Sequence, residues 1–437
     1  MTEVRLRLLV PSPSGDRVLL DDRFDLPAVD VHVEQTAISG SASALRTLGL
    51  APPVLDCFVD QRPDDELARE PRQALIVLPA PGTPYRPSSG LRWVPIHAAR
   101  PRLPAPLERI CADRLAEIAG ERAAHPLRTA WAEPGWYERA TAWIERSLAD
   151  AGRAAPDEVV QYRHWGISAI MYAEARDGRS WFKASFPPFA HEPAVTRLVG
   201  AAAPGLTPDV IATDRDAGWM LLDDIGPTTV DAVADASAAI DRLVAAQADM
   251  VDRVDDFLAV GCTDRRLERL SSSLVSALDG PTVAAAGVEL TAQRRRALVA
   301  AVDRAAEAVL DAGFPTTVAH GDFHPGNVAV VPDRGIVIFD WSDACITTPV
   351  IDLAVWAWWC DEREAPQRQL WDQFGAAWER HWEVDASCLD RRSVDVVAAA
   401  FHTISYVGIV EHLEPCRRPE SVEGVRRFAM MLDRLAG

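Results

Sequence analysis

The segment from Val318 to Ser342 constrains the fold of this 437-residue chain more than any other stretch. Its pattern predicts an apolar approach, a polar loop, and two short strands joined by a Pro-Asp-Arg-Gly turn. Four polar side chains fall at its two bends, and these are Asp322, His324, Asn327 and Asp340. A carboxylate can accept the proton of an alcohol, and amide and carboxylate oxygens are ligands that Mg²⁺ prefers beside nucleotide phosphates. The spacing therefore favours phosphate transfer to a hydroxyl group.

A family resemblance rests on these motifs. His320-Gly-Asp-Phe-His-Pro-Gly-Asn327 resembles the catalytic loop of the aminoglycoside phosphotransferase and choline kinase-like enzymes, small-molecule relatives of protein kinases. Ile338-Phe-Asp-Trp341 resembles their metal-binding segment, and Asp352 matches a downstream acid that braces the catalytic loop. The resemblance implies that Asp322 is the catalytic base, and that Asn327 and Asp340 bind Mg²⁺. A polar β-hairpin with solvated carboxylates would explain either acid alone, but it does not explain the ordered set.

The resemblance covers about residues 130–437 and implies an α+β fold that is bilobal and protein-kinase-like. We expect a small β-rich N-lobe at 156–224 and a helical C-lobe with the catalytic loop at 225–437. Helical spacing in the C-lobe predicts helices at Val230–Val254, Arg265–Leu278 and Thr291–Ala312. Residues 101–155 are predicted to be a proline-rich linker followed by bridging helices.

Lys183 is the only lysine among 45 basic residues, and all the others are arginine. The chain therefore uses arginine wherever either cation serves, and a lone lysine indicates a position that needs a compact ammonium group. An exposed strand lysine is the ordinary alternative. The resemblance implies that Lys183 contacts the α- and β-phosphates of ATP. It also implies that Glu192, at the start of a predicted helix, orients this lysine. The alternative is that Glu192 only complements the dipole of that helix.

Two further segments resemble nucleotide-binding parts of the family. A predicted hairpin with Ser168 at its bend corresponds to the strands that lie over the ATP phosphates. The apolar strand that begins at Trp219 corresponds to the hinge between lobes, where adenine bonds to backbone groups near Leu222 and Asp224. Most hairpins with such a turn have no nucleotide-binding role. The assignment of Ser168 therefore depends on the position of its hairpin upstream of the other family motifs.

Residues 1–100 are predicted to form a small α+β module. Alternating patterns at Val4–Val10 and Arg17–Leu20 flank a turn and predict a hairpin of two strands. Further strands are predicted at Val54–Val59, Ala74–Leu78 and Leu91–Pro95, with a helix at Ser41–Leu48.

The element order of this module resembles a Nudix domain. Asp25-Leu-Pro27, Glu34 and Ala44–Leu50 stand where that family has its fingerprint and its acid-rich helix. A Nudix helix needs several glutamates to hold Mg²⁺ on a diphosphate, and Ser41–Leu50 contains none. We therefore expect a Nudix-like module without hydrolase chemistry.

The composition restricts the partners. A formal net charge of −19 argues against nucleic acid, because a phosphate backbone needs a basic surface. The sequence has no apolar run long enough for a transmembrane helix and no signal-peptide core, and its seven cysteines follow no disulfide pattern. We expect a cytoplasmic protein without nucleic-acid or membrane partners.

The acceptor is predicted to be a small molecule with a hydroxyl group. An aminoglycoside-like antibiotic or an amino sugar is favoured, because the C-lobe is acidic near Asp361, Glu362, Glu364 and Glu411. Such an activity would confer antibiotic resistance. Another sugar or a choline-like alcohol is an alternative acceptor, and a non-catalytic nucleotide-binding protein is the alternative of another class.

Overall fold

The computed structural model describes residues 2–33, 36–50, 53–59, 72–80, 90–226, 233–332, 334–359 and 364–437. Glu34, Asp361 and Glu362, which the sequence analysis singled out, lie outside these ranges. The chain divides into two compact units, Met1–Lys183 and Ala184–Gly437. The structure mixes strands and helices, as the α+β prediction requires.

The described part of the first unit contains strands and three α-helices. Its strands are β1 (Thr2–Leu9), β2 (Arg17–Asp21), β3 (Ala28–Val33), β4 (Asp56–Val59), β5 (Arg72–Val77), β6 (Leu91–Pro95), β7 (Glu158–His164), β8 (Ser168–Ala175) and β9 (Gly178–Ser185), which ends just beyond the unit. Its helices are α1 (Ala37–Thr47), α2 (Ala105–Ile118) and α3 (Trp136–Asp150).

The N-terminal strands form a four-stranded sheet in the order β3-β1-β5-β4. β1 is antiparallel to β3 and parallel to β5, and its apolar side chains Leu6 and Leu8 are fully buried. The predicted hairpin between the first two strands is wrong, because β2 pairs with β6 along its whole length. Both edges of β1 are already occupied, so only a single bridge, between Pro11 and Val18, survives from that hairpin. The Nudix-like assignment stays a prediction.

This N-terminal sheet is joined to the β7 strand within the first unit. The side chain of Gln161 in β7 accepts a hydrogen bond from the Val54 amide at 2.7 Å and donates one to the Val54 carbonyl at 2.8 Å. Gln161 is buried, so both bonds are shielded from water. In the same unit, the Trp131 indole donates to the Trp165 carbonyl at 2.9 Å, beside the turn between β7 and β8.

The described part of the second unit is mostly helical. Its strands are β10 (Val210–Asp214), β11 (Trp219–Asp223), β12 (Thr263–Asp264), β13 (Thr317–Ala319), β14 (Val328–Val331), β15 (Gly335–Ile338) and β16 (Cys345–Thr347). Its helices are α4 (Glu192–Ala202), α5 (Val233–Asp249), α6 (Val254–Ala259), α7 (Leu267–Asp279), α8 (Pro281–Ala285), α9 (Ala292–Asp311), α10 (Val350–Trp359), α11 (Glu364–Glu379), α12 (Arg391–His412) and α13 (Arg418–Leu435). The three predicted C-lobe helices are confirmed as α5, α7 and α9, with ends displaced by a few residues.

Helix α12 runs through the apolar core of the second unit. It packs on α13 and also contacts α7, α9 and α10. In the part of the chain that the structure describes, α12 alone has the length and apolar composition that could cross a membrane, and 72% of its most apolar window is buried within the protein. The packing of neighbouring helices accounts for this apolar composition.

The polar loop and the acid of the sequence motif are brought together by a small hairpin. β14 and β15 pair antiparallel from Val328 opposite Ile338 to Val331 opposite Gly335, as predicted. The Phe339 amide then donates to the Asn327 carbonyl at 3.0 Å. The residues just before β14 and just after β15 are therefore neighbours.

Candidate active site

The catalytic-loop motif is held from behind by the carboxylate of Asp352 in α10. This carboxylate accepts hydrogen bonds from the backbone amides of His320 at 2.9 Å and Gly321 at 2.8 Å, and from Nε2 of Gln247 at 2.7 Å. We call this arrangement the Asp352 clamp. Burial raises the pKa of Asp352 to about 7, while the three donated bonds lower it. Asp352 thus braces the loop, as the family resemblance implies.

His320 links the two halves of the motif. Its Nδ1 accepts a bond from the Asp322 amide at 3.3 Å, so its Nε2 carries the proton and donates to the Phe339 carbonyl at 3.0 Å. The ring is fully buried, and this burial lowers its pKa, although the negative charges of Asp322 and Asp340 act in the opposite direction. The imidazole is therefore neutral near pH 7, as the two bonds require.

Gly321 allows the loop to approach the segment after β15. It has a left-handed backbone with φ of +82°, and a Cβ atom there would overlap the carbonyl oxygen of Asp343. Only glycine satisfies both demands. The sequence motif His-Gly-Asp thus contains a steric requirement as well as a base.

Asp322 follows this glycine and is partly exposed. Its side chain is 43% exposed, and its Oδ2 lies 3.4 Å from Nε2 of His324. His324 Nδ1 accepts a bond from the Gly326 amide at 3.0 Å, so Nε2 is the protonated nitrogen that points to Asp322. Desolvation raises the pKa of Asp322, but the hydrogen bond from His324 and the influence of the neighbouring histidines outweigh it and leave the pKa below its usual value. The carboxylate is ionised at neutral pH.

Asn327 and Asp340 present oxygen atoms beside this base. The Asn327 amide nitrogen donates to the Asp322 carbonyl at 2.9 Å, which leaves its side-chain oxygen as an available ligand atom. Asp340 adopts a left-handed backbone, with φ and ψ both 63°, and accepts a bond from Ser342 at 2.6 Å. Such a conformation is uncommon for a non-glycine residue and is typical of functional sites.

These two residues fit Mg²⁺ as a ligand pair, because both supply hard oxygen donors. Among the described residues, no three His, Cys, Asp or Glu side chains form a group that could hold a metal ion by themselves. Two protein ligands are sufficient for Mg²⁺ in such a site, because nucleotide phosphates complete its coordination shell.

The predicted nucleotide-contacting residues of the first unit lie on neighbouring strands. Ser168 is buried at the start of β8, where its carbonyl accepts from the Trp165 amide at 2.8 Å and closes the turn. Lys183 is only 8% exposed in β9. An ordinary surface lysine would be solvated, so its burial argues against that alternative.

The remaining predicted residues belong to the second unit. Glu192 begins α4, as predicted, is fully buried, and accepts a bond from the Ser185 hydroxyl at 2.6 Å. Its pairing with Lys183 stays a prediction. Leu222 lies in β11 opposite Val210, and Asp224 follows that strand at an exposed position.

Two residues near the motif were missed by the sequence analysis, Gln247 and His402. Gln247 is a polar residue within an apolar stretch of α5, and it also donates to the Val318 carbonyl at 3.1 Å. His402 occupies a comparable apolar stretch of α12. A single buried polar residue in an apolar helix was the available signal in both cases.

Residues 175–384 match the phosphotransferase enzyme family known as APH. The segment includes Lys183, Glu192, Asp322, Asn327 and Asp340, but it begins after Ser168. The match confirms the predicted enzyme class, a phosphotransferase.

Several solved structures are similar to this chain. Choline kinase LicA from Streptococcus pneumoniae is 12% identical with a TM-score of 0.46, and the match covers 67% of this chain and 98% of LicA. Macrolide 2'-phosphotransferase MphH from Brachybacterium faecium is 17% identical with a TM-score of 0.44, covering 66% and 98%. Aminoglycoside phosphotransferase APH(3'')-Id from Streptomyces rimosus is 19% identical with a TM-score of 0.37, covering 60% and 97%. No curated protein matches the chain.

Proposed function

We propose that this phosphotransferase transfers the terminal phosphate of ATP to a hydroxyl group of a small molecule, with Mg²⁺ as its cofactor. The observation that carries the proposal is the Asp352 clamp, which holds the loop so that the ionised Asp322 lies directly beside Asn327. Phosphoryl transfer depends mainly on positioning and on charge neutralisation, and the clamp supplies the positioning.

Each residue of the motif has a role in this proposal. Asp322 orients the acceptor hydroxyl and takes its proton, and His324 keeps that carboxylate ionised by donating to it. Asn327 and Asp340 would hold Mg²⁺ through their side-chain oxygens. When bound, Mg²⁺ would neutralise charge on the phosphate oxygens.

The nucleotide would be held by residues that precede the catalytic loop in the chain. Lys183 would contact the α- and β-phosphates with Glu192 as its orienting partner, and the hairpin at Ser168 would cover the phosphates. Adenine would bond to the backbone near Leu222 and Asp224. These roles correspond to a bilobal kinase-like arrangement, with the N-lobe at 156–224 and the C-lobe at 225–437.

The sequence favours an aminoglycoside-like or amino-sugar acceptor, and this choice depended on acidic residues of the C-lobe. Of these, Glu411 is engaged elsewhere, because its Oε1 accepts from the Thr282 hydroxyl at 3.4 Å. The side chain of Glu364 lies outside the described residues. The acceptor therefore has to be inferred from the residues that surround Asp322.

The substitution Asp322→Asn tests the proposal. Removing a general base costs on the order of 10²-fold or more in turnover, while Mg-ATP binding should be retained because the base acts on the acceptor. Transfer would be measured by ADP release over a panel of hydroxyl compounds, and nucleotide binding by calorimetry. Asp303→Asn, at a carboxylate that bonds Ser271 on another surface, is the matched control. Normal turnover in Asp322→Asn would show that Asp322 is not the general base.

A non-catalytic nucleotide-binding protein would give a different result. It would bind Mg-ATP, release no ADP above background with any acceptor, and respond equally to the Asp303 and Asp322 substitutions.

A further inference from the structure

Helix α10 contacts the catalytic loop along one of its faces. Asp352, Trp356 and Trp359 follow one another at intervals of four and three residues, and residues at these intervals lie on one side of a helix. Asp352 accepts hydrogen bonds from the two amides at the start of the loop. The Trp356 ring packs on the Phe323 ring, with centroids 4.4 Å apart. Trp359 continues this row of contacts to His324.

Trp359 stacks on the imidazole of His324. The two rings are nearly parallel, with an interplanar angle of 13° and centroids 4.2 Å apart. Trp359 is 61% exposed, whereas Trp356 is fully buried in the core of the unit. Among the rings that the structure describes, Trp359 contacts that of His324 alone. Burial of apolar surface in the core therefore does not account for this tryptophan.

The orientation of His324 needs a further restraint beyond its hydrogen bonds. The torsion that rotates an imidazole about its Cβ–Cγ bond has a broad energy minimum. The bond from the Gly326 amide to Nδ1, at 3.0 Å, holds one edge of the ring. The contact between Nε2 and the Asp322 carboxylate is long, at 3.4 Å, and is therefore weak. The indole of Trp359 covers a face of the imidazole and opposes its rotation away from Asp322.

The position of this imidazole determines the surroundings of the proposed base. Nε2 of His324 donates toward Oδ2 of Asp322, and the same oxygen accepts from the Asn327 amide at 3.4 Å. If the imidazole rotated away, Oδ2 would retain only that long bond among the described residues, and the carboxylate could turn. A displacement of about 1 Å in a reacting group can cost about 10²-fold in rate.

We propose that Trp359 is a positioning residue for phosphate transfer. Its indole fixes the plane of the His324 imidazole, and the imidazole in turn fixes the carboxylate of Asp322. Helix α10 then restrains the loop on both sides of the base, through Asp352 before it and Trp359 after it. This inference rests on the proposed function, and Trp359 itself contacts neither the nucleotide nor the acceptor.

The test uses variants of the full-length protein. Trp359→Ala removes the stacked ring, and Trp359→Phe keeps a flat ring. Trp382→Ala is the matched control, because Trp382 is another exposed tryptophan of the second unit. ADP release would be measured with kanamycin, choline and glucose, and kcat and KM determined for each acceptor that is phosphorylated.

We expect kcat of Trp359→Ala to fall about twofold to tenfold, which corresponds to the loss of one aromatic pair. The KM for the acceptor and the KM for ATP should not change, because Trp359 contacts neither. Trp359→Phe should recover most of the lost kcat, and Trp382→Ala should have the kcat of the wild type. The Tm of Trp359→Ala should stay close to that of the wild type, since the side chain is largely exposed. A merely structural role would lower Tm and kcat together.

A double-mutant cycle tests whether Trp359 acts through His324. In a His324→Ala background the indole has no imidazole to hold, so adding Trp359→Ala should lower kcat no further. Two independent effects would multiply.

Nuclear magnetic resonance measures the stacking without any turnover. The protein would be labelled with ¹³C at Cε1 of its histidines, and the His324 signal identified by its absence in His324→Ala. A proton above the face of an indole is shifted to higher field. The Cε1 proton of His324 should therefore move to lower field in Trp359→Ala, and by less in Trp359→Phe.

Four results overturn the inference and leave the proposed function standing. They are an unchanged kcat in Trp359→Ala, multiplied effects in the double variant, a change confined to the KM for the acceptor, and an unmoved His324 signal. ADP release with none of the three acceptors, although Mg-ATP binds, would contradict the proposed function and the inference with it.

Discussion

Gln247 and Asp352, which are 105 positions apart in the chain, are joined by a buried hydrogen bond of 2.7 Å. Both side chains are fully buried, and the same Asp352 oxygen also accepts from the His320 amide. The helix α5 is thereby connected to the catalytic loop through a single carboxylate. A glutamine of a distant helix can thus influence the position of Asp322.

The substitution Gln247→Leu should weaken both the fold and the activity. Loss of the donor leaves a buried carboxylate with one partner fewer, which costs about 1–3 kcal/mol of unfolding free energy. Because the loop is then less restrained, kcat should fall while the KM for ATP stays similar. Chemical denaturation and steady-state kinetics measure the two effects. Gln373→Leu, which removes a bond to the Ser237 carbonyl, is the control and should leave kcat unchanged.

The raised pKa of Asp352 predicts a pH dependence of stability. Between its unfolded value near 3.8 and about 7 in the folded protein, the native state binds the proton more tightly than the unfolded chain does. The stabilising contribution of this group is therefore present at low pH and is lost as the pH rises through that interval. Denaturation of Asp352→Asn at pH 5 and pH 7.5 should show a smaller difference between the two conditions than the wild type does. An equal difference would contradict the raised pKa.

Gly326→Ala should raise the pKa of Asp322 indirectly, through a displacement of His324. A Cβ atom at position 326 would lie 2.7 Å from Cε1 of His324, so the imidazole must move away from Asp322. Because His324 lowers the pKa of Asp322, that pKa should rise and the acidic limb of the kcat/KM profile should move to higher pH. Gly280→Ala, where a Cβ atom would make only ordinary contacts of 3.5 Å or more, is the control for an alanine substitution. An unmoved acidic limb would show that His324 does not act on the base.

The substitution Lys183→Arg tests whether Lys183 contacts the nucleotide. The planar fork of arginine cannot replace a point charge at a phosphate, so kcat/KM should fall about tenfold or more, a loss of about 1.4 kcal/mol. The Tm without nucleotide should change little if the fold tolerates arginine. Amine-directed labelling modifies only Lys183 and the N-terminus, and Mg-ATP should slow the reaction at Lys183. Full activity of the variant together with unprotected labelling would exclude a nucleotide contact.

Local sequence patterns predicted those parts of the structure that depend on neighbouring residues. The β14–β15 hairpin and the start of α4 at Glu192 follow from strand alternation, turn residues and a proline in the first helical turn. Asp352 was identified because a family motif fixes its place downstream of the loop.

Long-range pairings were not predictable in the same way. β2 was expected to pair with β1 along a short turn, but it pairs with β6, some seventy residues away. The sequence contains no local information about which edge of a strand is already occupied. For the same reason, the contacts of Gln247 and the aromatic surroundings of His402 were not predicted, since their partners come from distant helices.

The left-handed backbone of Asp340 has a consequence for how this protein would change over generations. A glycine there would adopt the same φ and ψ without steric cost, so Asp340→Gly should raise Tm while it removes a proposed Mg²⁺ ligand. Selection for stability and selection for activity therefore act in opposite directions at this one position. In a lineage released from the need for phosphate transfer, Asp340 would be among the first residues of the motif to be replaced, because its loss is an advantage to the fold.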